Sequence, residues 1–249
     1  MIREYLAIVL KSLASRKLRA WLTIIGIIIG IAAIISLITI SQALQKSIKE
    51  VFEEIGSDKI TILPKSVGPP GSSFEGLTND DVSTVENVNE VEWAIPALIK
   101  NARLEFSREV KVQRIAGLPS DQAGLYFESF GIELAAGQPF TTDSRKAVIG
   151  SKVAADLFEK PVKLRDRILI EGGQFQVIGI LESMGNPDDD NFIWIPMATA
   201  RELFNDEENI GYMVAKVRAG EDSETAAKKI SARLERERGN DDFEVLSPE

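Results

Sequence analysis

The chain has 249 residues, a formal net charge of −9, and neither cysteine nor histidine. That composition excludes disulfide frameworks, thiol nucleophiles, Ser-His-Asp triads and zinc sites built on Cys or His. Charge is unevenly placed, with +4 on residues 1–20 and −13 on the remainder, so the body of the protein repels nucleic-acid phosphates and no nucleic-acid partner is expected.

Ile2, Tyr5, Leu6, Val9 and Leu13 recur at helical spacing, with Arg3, Lys11 and Arg16 available to face headgroups. Residues 1–20 are therefore expected to form an amphipathic helix at the bilayer interface. Trp21–Ile40 then contains no Lys, Arg, Asp or Glu, and about 20 apolar residues suffice for a helix to cross the hydrocarbon core. A secretory signal has an apolar core of only about 7–15 residues; this run is longer, although Ser41-Gln42-Ala43 imitates a cleavage site. A core helix apolar on every face would be out of scale with so small a chain. The upstream basic residues outweigh Lys46 and Lys49, which are offset by Glu50, Glu53 and Glu54. The N-terminus is thus expected in the cytoplasm and the C-terminal domain outside the cell membrane. Gly26, Gly30 and Ala33 place small residues on one side of the span, where a second helix can approach closely.

Leu44, Ile48, Val51, Phe52 and Ile55 extend the helical period past the bilayer, predicting a stalk over residues 41–56 that Gly56 ends. Lys59–Leu63 reads as a strand stopped by Pro64, and Val67–Ser73 as a loop. Thr78 is expected to cap a short helix whose Asp80 and Asp81 suit the positive end of its dipole. Val91–Phe106, broken by Pro96, and Glu109–Ala116 predict a hairpin across Ser107-Arg108. Near the other end, Gly211–Val217 reads as a strand, Ser223–Arg238 as an amphipathic helix with Ala226, Ile230 and Leu234 inward, and Phe243–Leu246 as a last strand.

Between these parts the pattern is β-rich. Ala147–Gly150 reads as a strand, Ser151 as the cap of a helix over Lys152–Phe158, and Arg167–Ile170 as the partner of Phe175–Leu181 across residues 171–174. Phe192–Ile195 is a further strand, and Pro196 opens a turn into a helix over Ala198–Phe204. The fold class is α+β: a membrane helix and stalk, then an α+β subdomain over residues 57–118 and 207–249, interrupted by a β-rich subdomain over residues 119–206. No internal repeat is present.

Candidates for chemistry are few. Asn186–Asn191 gathers three aspartates but lacks EF-hand spacing and reads as a solvated loop; Asp241-Asp242 reads as a solvated turn. Glu53, Glu54, Asp80 and Asp81 suit helix termini better than acid–base work. No metal site, cofactor or catalytic residue is assigned, and the chain is not read as an enzyme. Among the aromatics, Tyr126, Phe127 and Phe130 lie in a turn-rich segment beside Gly131 and are the residues expected to be exposed for a partner.

Several motifs in order resemble the MacB/FtsX-like permease superfamily of ABC transporters. Lys17–Ala32 is similar to that family's basic lead-in and first membrane helix, and Gly137-Gln-Pro-Phe140 to its Gly-Arg-x-Phe element. Ala147–Ser151 followed by Ala154–Phe158, Phe175–Ile180 and Ile193–Pro196 match further elements in the family's sequence. The resemblance implies that the α+β subdomain is porter-like. It also implies an ABC ATPase as partner, and a homodimer or hetero-oligomer whose helices meet those of a permease partner or a second copy in the lipid bilayer. ATP hydrolysis in the cytoplasm would then drive the external domain. This sequence holds one apolar run where the family has four membrane helices, and no Gly-x-x-x-x-Gly-Lys-Ser/Thr loop. It is thus expected to be part of a longer or split permease or a single-pass relative. The alternative function is a membrane-anchored extracytoplasmic binding or sensor protein without transport activity.

Overall fold

The structure, a computed structural model, describes residues 17–55, 58–65, 76–186 and 189–248. The expected interfacial helix before Lys17, Gly56 at the predicted end of the stalk and the loop Val67–Ser73 lie outside these residues. The chain divides at Val51 into a helical unit and a compact α+β unit beginning at Phe52.

Helix α1, Lys17–Ile55, is one uninterrupted helix of 39 residues, so the apolar span and the predicted stalk share a single ladder. At 1.5 Å per residue it is about 58 Å long, roughly twice the hydrocarbon thickness of a bilayer. Its stretch Trp21–Ala43 has a mean hydropathy of 2.7 and buries nothing against protein. Trp21, Leu37 and Ile40 are 65%, 70% and 65% exposed, a cost that only an apolar surrounding removes. The Thr39 hydroxyl donates to the Ile35 carbonyl at 2.8 Å, satisfying it within the helix.

In the α+β unit, β1 (Lys59–Pro64), α2 (Asn79–Glu86), β2 (Val91–Phe106) and β3 (Glu109–Leu118) come first. There follow α3 (Ala123–Ser129), β4 (Leu134–Gly137), β5 (Lys146–Ile149), α4 (Ser151–Ala155), β6 (Arg167–Ile170), β7 (Gly173–Leu181), β8 (Ile193–Pro196) and α5 (Met197–Phe204). The chain closes with β9 (Tyr212–Val217), α6 (Ser223–Arg238) and β10 (Phe243–Leu246). Strands β10, β1, β9 and the first half of β2 form an antiparallel sheet. Helices α2 and α6 cover one face of it, and Ile60, Ile62, Val85, Met213, Ile230 and Leu234 fill the space between. Helix α6 is well punctuated: the Asp222 carboxylate accepts from the Thr225 N–H at 2.8 Å, and Gly239 ends the helix at φ 70°.

The second half of β2 passes into a different structure. It pairs with β3 and with β6, and the chain of pairs β2-β3-β8-β5-β7-β6 returns to β2, closing a six-stranded ring. Closure pairs each of the six strands on both sides over part of its length, and Leu104, Phe106, Ile149, Ile168, Phe175 and Ile195 fill its interior. Residues 98–118 thus contribute to the ring along with residues 119–206.

Several local expectations are corrected. Pro96 does not break β2, because Val91–Ala97 is hydrogen-bonded along one edge only, to β9, and a residue without N–H is tolerated at an unpaired edge. Pro64 is the last residue of β1 rather than the one beyond it. The helix after β5 starts at Ser151 with Gly150 as cap and ends at Ala155, well before Phe158. Gly150 is required there because a Cβ would stand 2.2 Å from the Asp190 carbonyl oxygen. The turn between β6 and β7 is the two-residue Glu171-Gly172, both with positive φ (46° and 79°), which suits the twist of a tight hairpin.

Candidate functional site

On α1, Gly26 and Gly30 have nothing within 4 Å of where a Cβ would stand, and Ala33 is exposed on the same helix. The three therefore form a shallow strip facing open space, one helical turn between successive members. Charge within Trp21–Ala43 is nil, so the strip offers close backbone approach and dispersion rather than chemistry.

The aromatic residues expected as exposed contacts are corrected. Tyr126 and Phe127 are 5% and 2% exposed, and Phe130 is half-buried. They reach across from α3 to the sheet face opposite α2 and α6, joining Ile95, Ala97, Val214 and Trp194 in a third core. The Tyr126 ring lies 4.6 Å from Phe130 and 5.3 Å from Trp194, and Phe127 meets Trp194 edge-on at 5.7 Å. The hydroxyls of Tyr126 and Tyr212 share a hydrogen bond of 2.6 Å. Burial pushes the Tyr212 phenol up to about 12, and burial together with the neighbouring Tyr212 pushes Tyr126 well above its usual range. Both phenols therefore stay protonated at neutral pH and are engaged with each other. Sequence reasoning missed this role because a turn-rich segment and an inter-sheet wedge carry the same residue types.

Asp188 and the side chains of Glu53 and Glu54 lie outside the described residues, while the other acidic candidates are placed. Among the described residues, no group of three or more His, Cys, Asp or Glu is placed to hold a metal. Asp190 is 2% exposed and accepts from the Ser183 hydroxyl at 2.7 Å and the Met184 N–H at 2.8 Å. Burial opposes its ionisation most strongly, but these bonds, another from Ser151 and the charge of Lys152 hold the carboxyl below its usual range. It is the organiser of the loop before β8. Asp81 likewise turns inward: its carboxylate accepts from the Thr78 N–H at 2.7 Å and pairs with Arg238, tying α2 to α6. Asp80 stays exposed in the first turn of α2, as the dipole favours.

An open groove of about 350 Å³ runs beside α6, lined by Val88, Glu90, Lys229, Arg233 and Arg236. Lys229 pairs with Glu90, and Arg233 donates to the Asn87 carbonyl at 3.0 Å. These contacts fasten α6 to the end of α2 and leave no nucleophile or base poised over the groove.

Residues 20–233 match the MacB-like periplasmic core domain family. An uncharacterized ABC transporter permease of Methanocaldococcus jannaschii is 32% identical over the whole of this chain, which covers 62% of that relative. The macrolide export ATP-binding/permease protein MacB of Escherichia coli K12 is 25% identical over 96% of this chain, which covers 38% of it. In structure, the α+β unit is similar to the periplasmic region of MacB from Actinobacillus actinomycetemcomitans, with a TM-score of 0.67 at 18% identity over 81% of this chain and 94% of that one. The extracellular domain of the ABC-type transporter YknZ from Gram-positive bacteria follows at 0.60 and 16% identity, over 76% of this chain and all of that domain. Among the described residues, one helical stretch, Trp21–Ala43, is long and apolar enough to cross a membrane, and the chain spans less than two thirds of the length of these curated relatives. The motif glycines and strands that carried the resemblance in sequence are the ones that build this fold, and the chain belongs to the MacB-like periplasmic core domain family.

Proposed function

We propose that this chain acts as a permease-type membrane subunit, or the N-terminal part of one, in an ABC transport complex. In this reading a separate cytoplasmic ATPase drives motion of the external domain through the membrane helix. The observation that carries it is the continuity of α1 from Lys17 to Ile55. An unbroken hydrogen-bonded rod transmits displacement along its axis, whereas a hinged linker would absorb it. The N-terminus is cytoplasmic, by the excess of basic residues before Trp21. Gly26, Gly30 and Ala33 are the face on which a second membrane helix packs, from another copy or a permease partner. Within the external domain, the porter-like part (residues 57–118 and 207–249) and the inserted β-rich part (residues 119–206) are the moving bodies. Part of the support is that residues 147–200 and 210–243 fill different interior cores, although residues 98–115 pack into the first of these and a third core spans both parts.

The experiment is purification of the full chain from native membranes, followed by identification of what accompanies it. Recovery of a P-loop ATPase whose hydrolysis rate changes on Gly26→Leu/Gly30→Leu supports the reading. Recovery of the chain alone, with an unchanged oligomeric state in that double variant, sinks it in favour of an anchored sensor. Orientation has a clean test, because the chain has no cysteine of its own. A membrane-impermeant maleimide should label Glu237→Cys in intact cells and Ser12→Cys only after lysis.

A further inference from the structure

Strand β3 has two edges with different fates. Along one edge it pairs with β2 from Phe106↔Glu109 to Leu98↔Gly117 without a register shift. Along the other, β8 begins only at Ile115. The hairpin turns through two residues, Ser107 and Arg108, both at positive φ (52° and 71°), so Phe106↔Glu109 is the hydrogen-bonded pair that closes it. Alternation then assigns the backbone groups of Glu109, Lys111 and Gln113 to β2. Those of Val110 and Val112 are aimed the other way, where the described residues supply no strand.

The same two residues are 45% and 68% exposed, and among the described residues Val112 is the most exposed large aliphatic outside α1. No bulge and no proline interrupts this edge; its shortness and the exposed Lys111 at its centre are what guard it against a second copy. Unsatisfied backbone groups in the plane of the sheet, beside bare valines standing out of it, are what an added strand would cover.

Charge decides whose strand it is. From Arg114 onward the edge is closed, since that guanidinium stacks on Phe192 at 4.8 Å. Two copies of β3 can therefore form two paired positions each only by setting Val110 against Val112, which places Lys111 directly opposite its own copy. Like charges facing across a strand pair are destabilising, and exposed Arg108 adds to the positive rim. We propose that the outer edge of β3 at Val110–Val112 is a docking site for an extended segment of a different protein. That segment carries the pattern apolar-acidic-apolar, its acidic residue opposite Lys111.

The test uses the full chain in detergent and two blocked peptides, acetyl-Ser-Thr-Val-Glu-Val-Thr-Ser-amide and the same with Lys in place of Glu. At millimolar concentration the Glu peptide should slow hydrogen exchange in the segment containing Val110 and Val112 and bind at least about threefold tighter than the Lys peptide. Val112→Pro removes an outward N–H without touching the β2 ladder and should abolish protection. Lys111→Glu, which leaves the backbone intact, should invert the preference between the peptides. Equal binding of the two, protection that survives Val112→Pro, or no protection by either overturns the proposal. So does self-association of the full chain that Val112→Pro removes, since a second copy would then be the occupant.

Discussion

The hydroxyls of Tyr126 and Tyr212, 86 residues apart in sequence, meet at 2.6 Å where α3 lies on the sheet. Each is the other's means of avoiding an unsatisfied buried oxygen. Either single change, Tyr126→Phe or Tyr212→Phe, should therefore cost about 1–3 kcal/mol, while the double change costs less than the sum of the two. Urea unfolding followed by tryptophan fluorescence checks this, since Trp194 packs against Tyr126.

The same pair sets the alkaline limit of stability. The Tyr212 phenol rises from 10.0 in the unfolded chain to about 12 in the fold. Its contribution is fully present below pH 10 and is lost as the pH climbs toward 12, because the unfolded chain gives up the proton first. Unfolding midpoints should fall over that interval in the wild type and fall less steeply in the Tyr126→Phe/Tyr212→Phe variant.

Arg238 and Asp81 form an ion pair with only 8% and 6% of their side chains exposed, and Arg238 also donates to the Gly76 carbonyl at 3.3 Å. Removing Asp81 takes the counter-charge from a buried guanidinium. Asp81→Ala should cost about 3–5 kcal/mol, and Asp81→Leu/Arg238→Met should recover much of it. Chemical denaturation of the three proteins decides.

Gly137 and Gly220 share a backbone conformation, φ 89° and 90°, but not an environment. At Gly137 a Cβ would stand 2.0 Å from the Ile178 carbonyl oxygen, whereas at Gly220 nothing lies within 4 Å. Gly220→Ala should cost only the backbone strain, about 1–2 kcal/mol. Gly137→Ala adds a clash with main chain that cannot move aside and should cost about 3 kcal/mol or more. Equal melting temperatures for the two variants would contradict this.

Asp190 supplies an acid limit. Its carboxyl is held below the ordinary 3.8 against the opposing effect of burial. Its stabilisation is present above pH 3.8 and disappears as the pH falls through the depressed value. Asp190→Asn should flatten the acid branch of the stability curve, measured between neutrality and pH 2.

The long apolar helix, the bounds of α6 and the α+β class were legible in residue order alone, because each rests on local physics. Twenty residues without charge and a 3.6-residue apolar period that sets Ala226, Ile230 and Leu234 on one face need no distant partner to be recognised. The motif at Gly137 was visible as a resemblance, and its cause is now the Ile178 carbonyl. The role of Tyr126 and Phe127 was not legible. Whether an aromatic beside a turn faces solvent or a sheet depends on where Ile95, Val214 and Trp194 arrive, and those residues are scattered through the chain.

Sequence by itself thus determined the long apolar helix, the acidic body and the order of the strands and helices other than α3 and β4. Only the tertiary structure decided that β6 pairs with β2 to close a ring, that Asp81 and Asp190 turn inward, and that one edge of β3 stays open. The reason is common to all three: local periodicity sets which face of an element is apolar, but which partner satisfies a backbone edge or a buried charge depends on contacts between residues far apart in the chain.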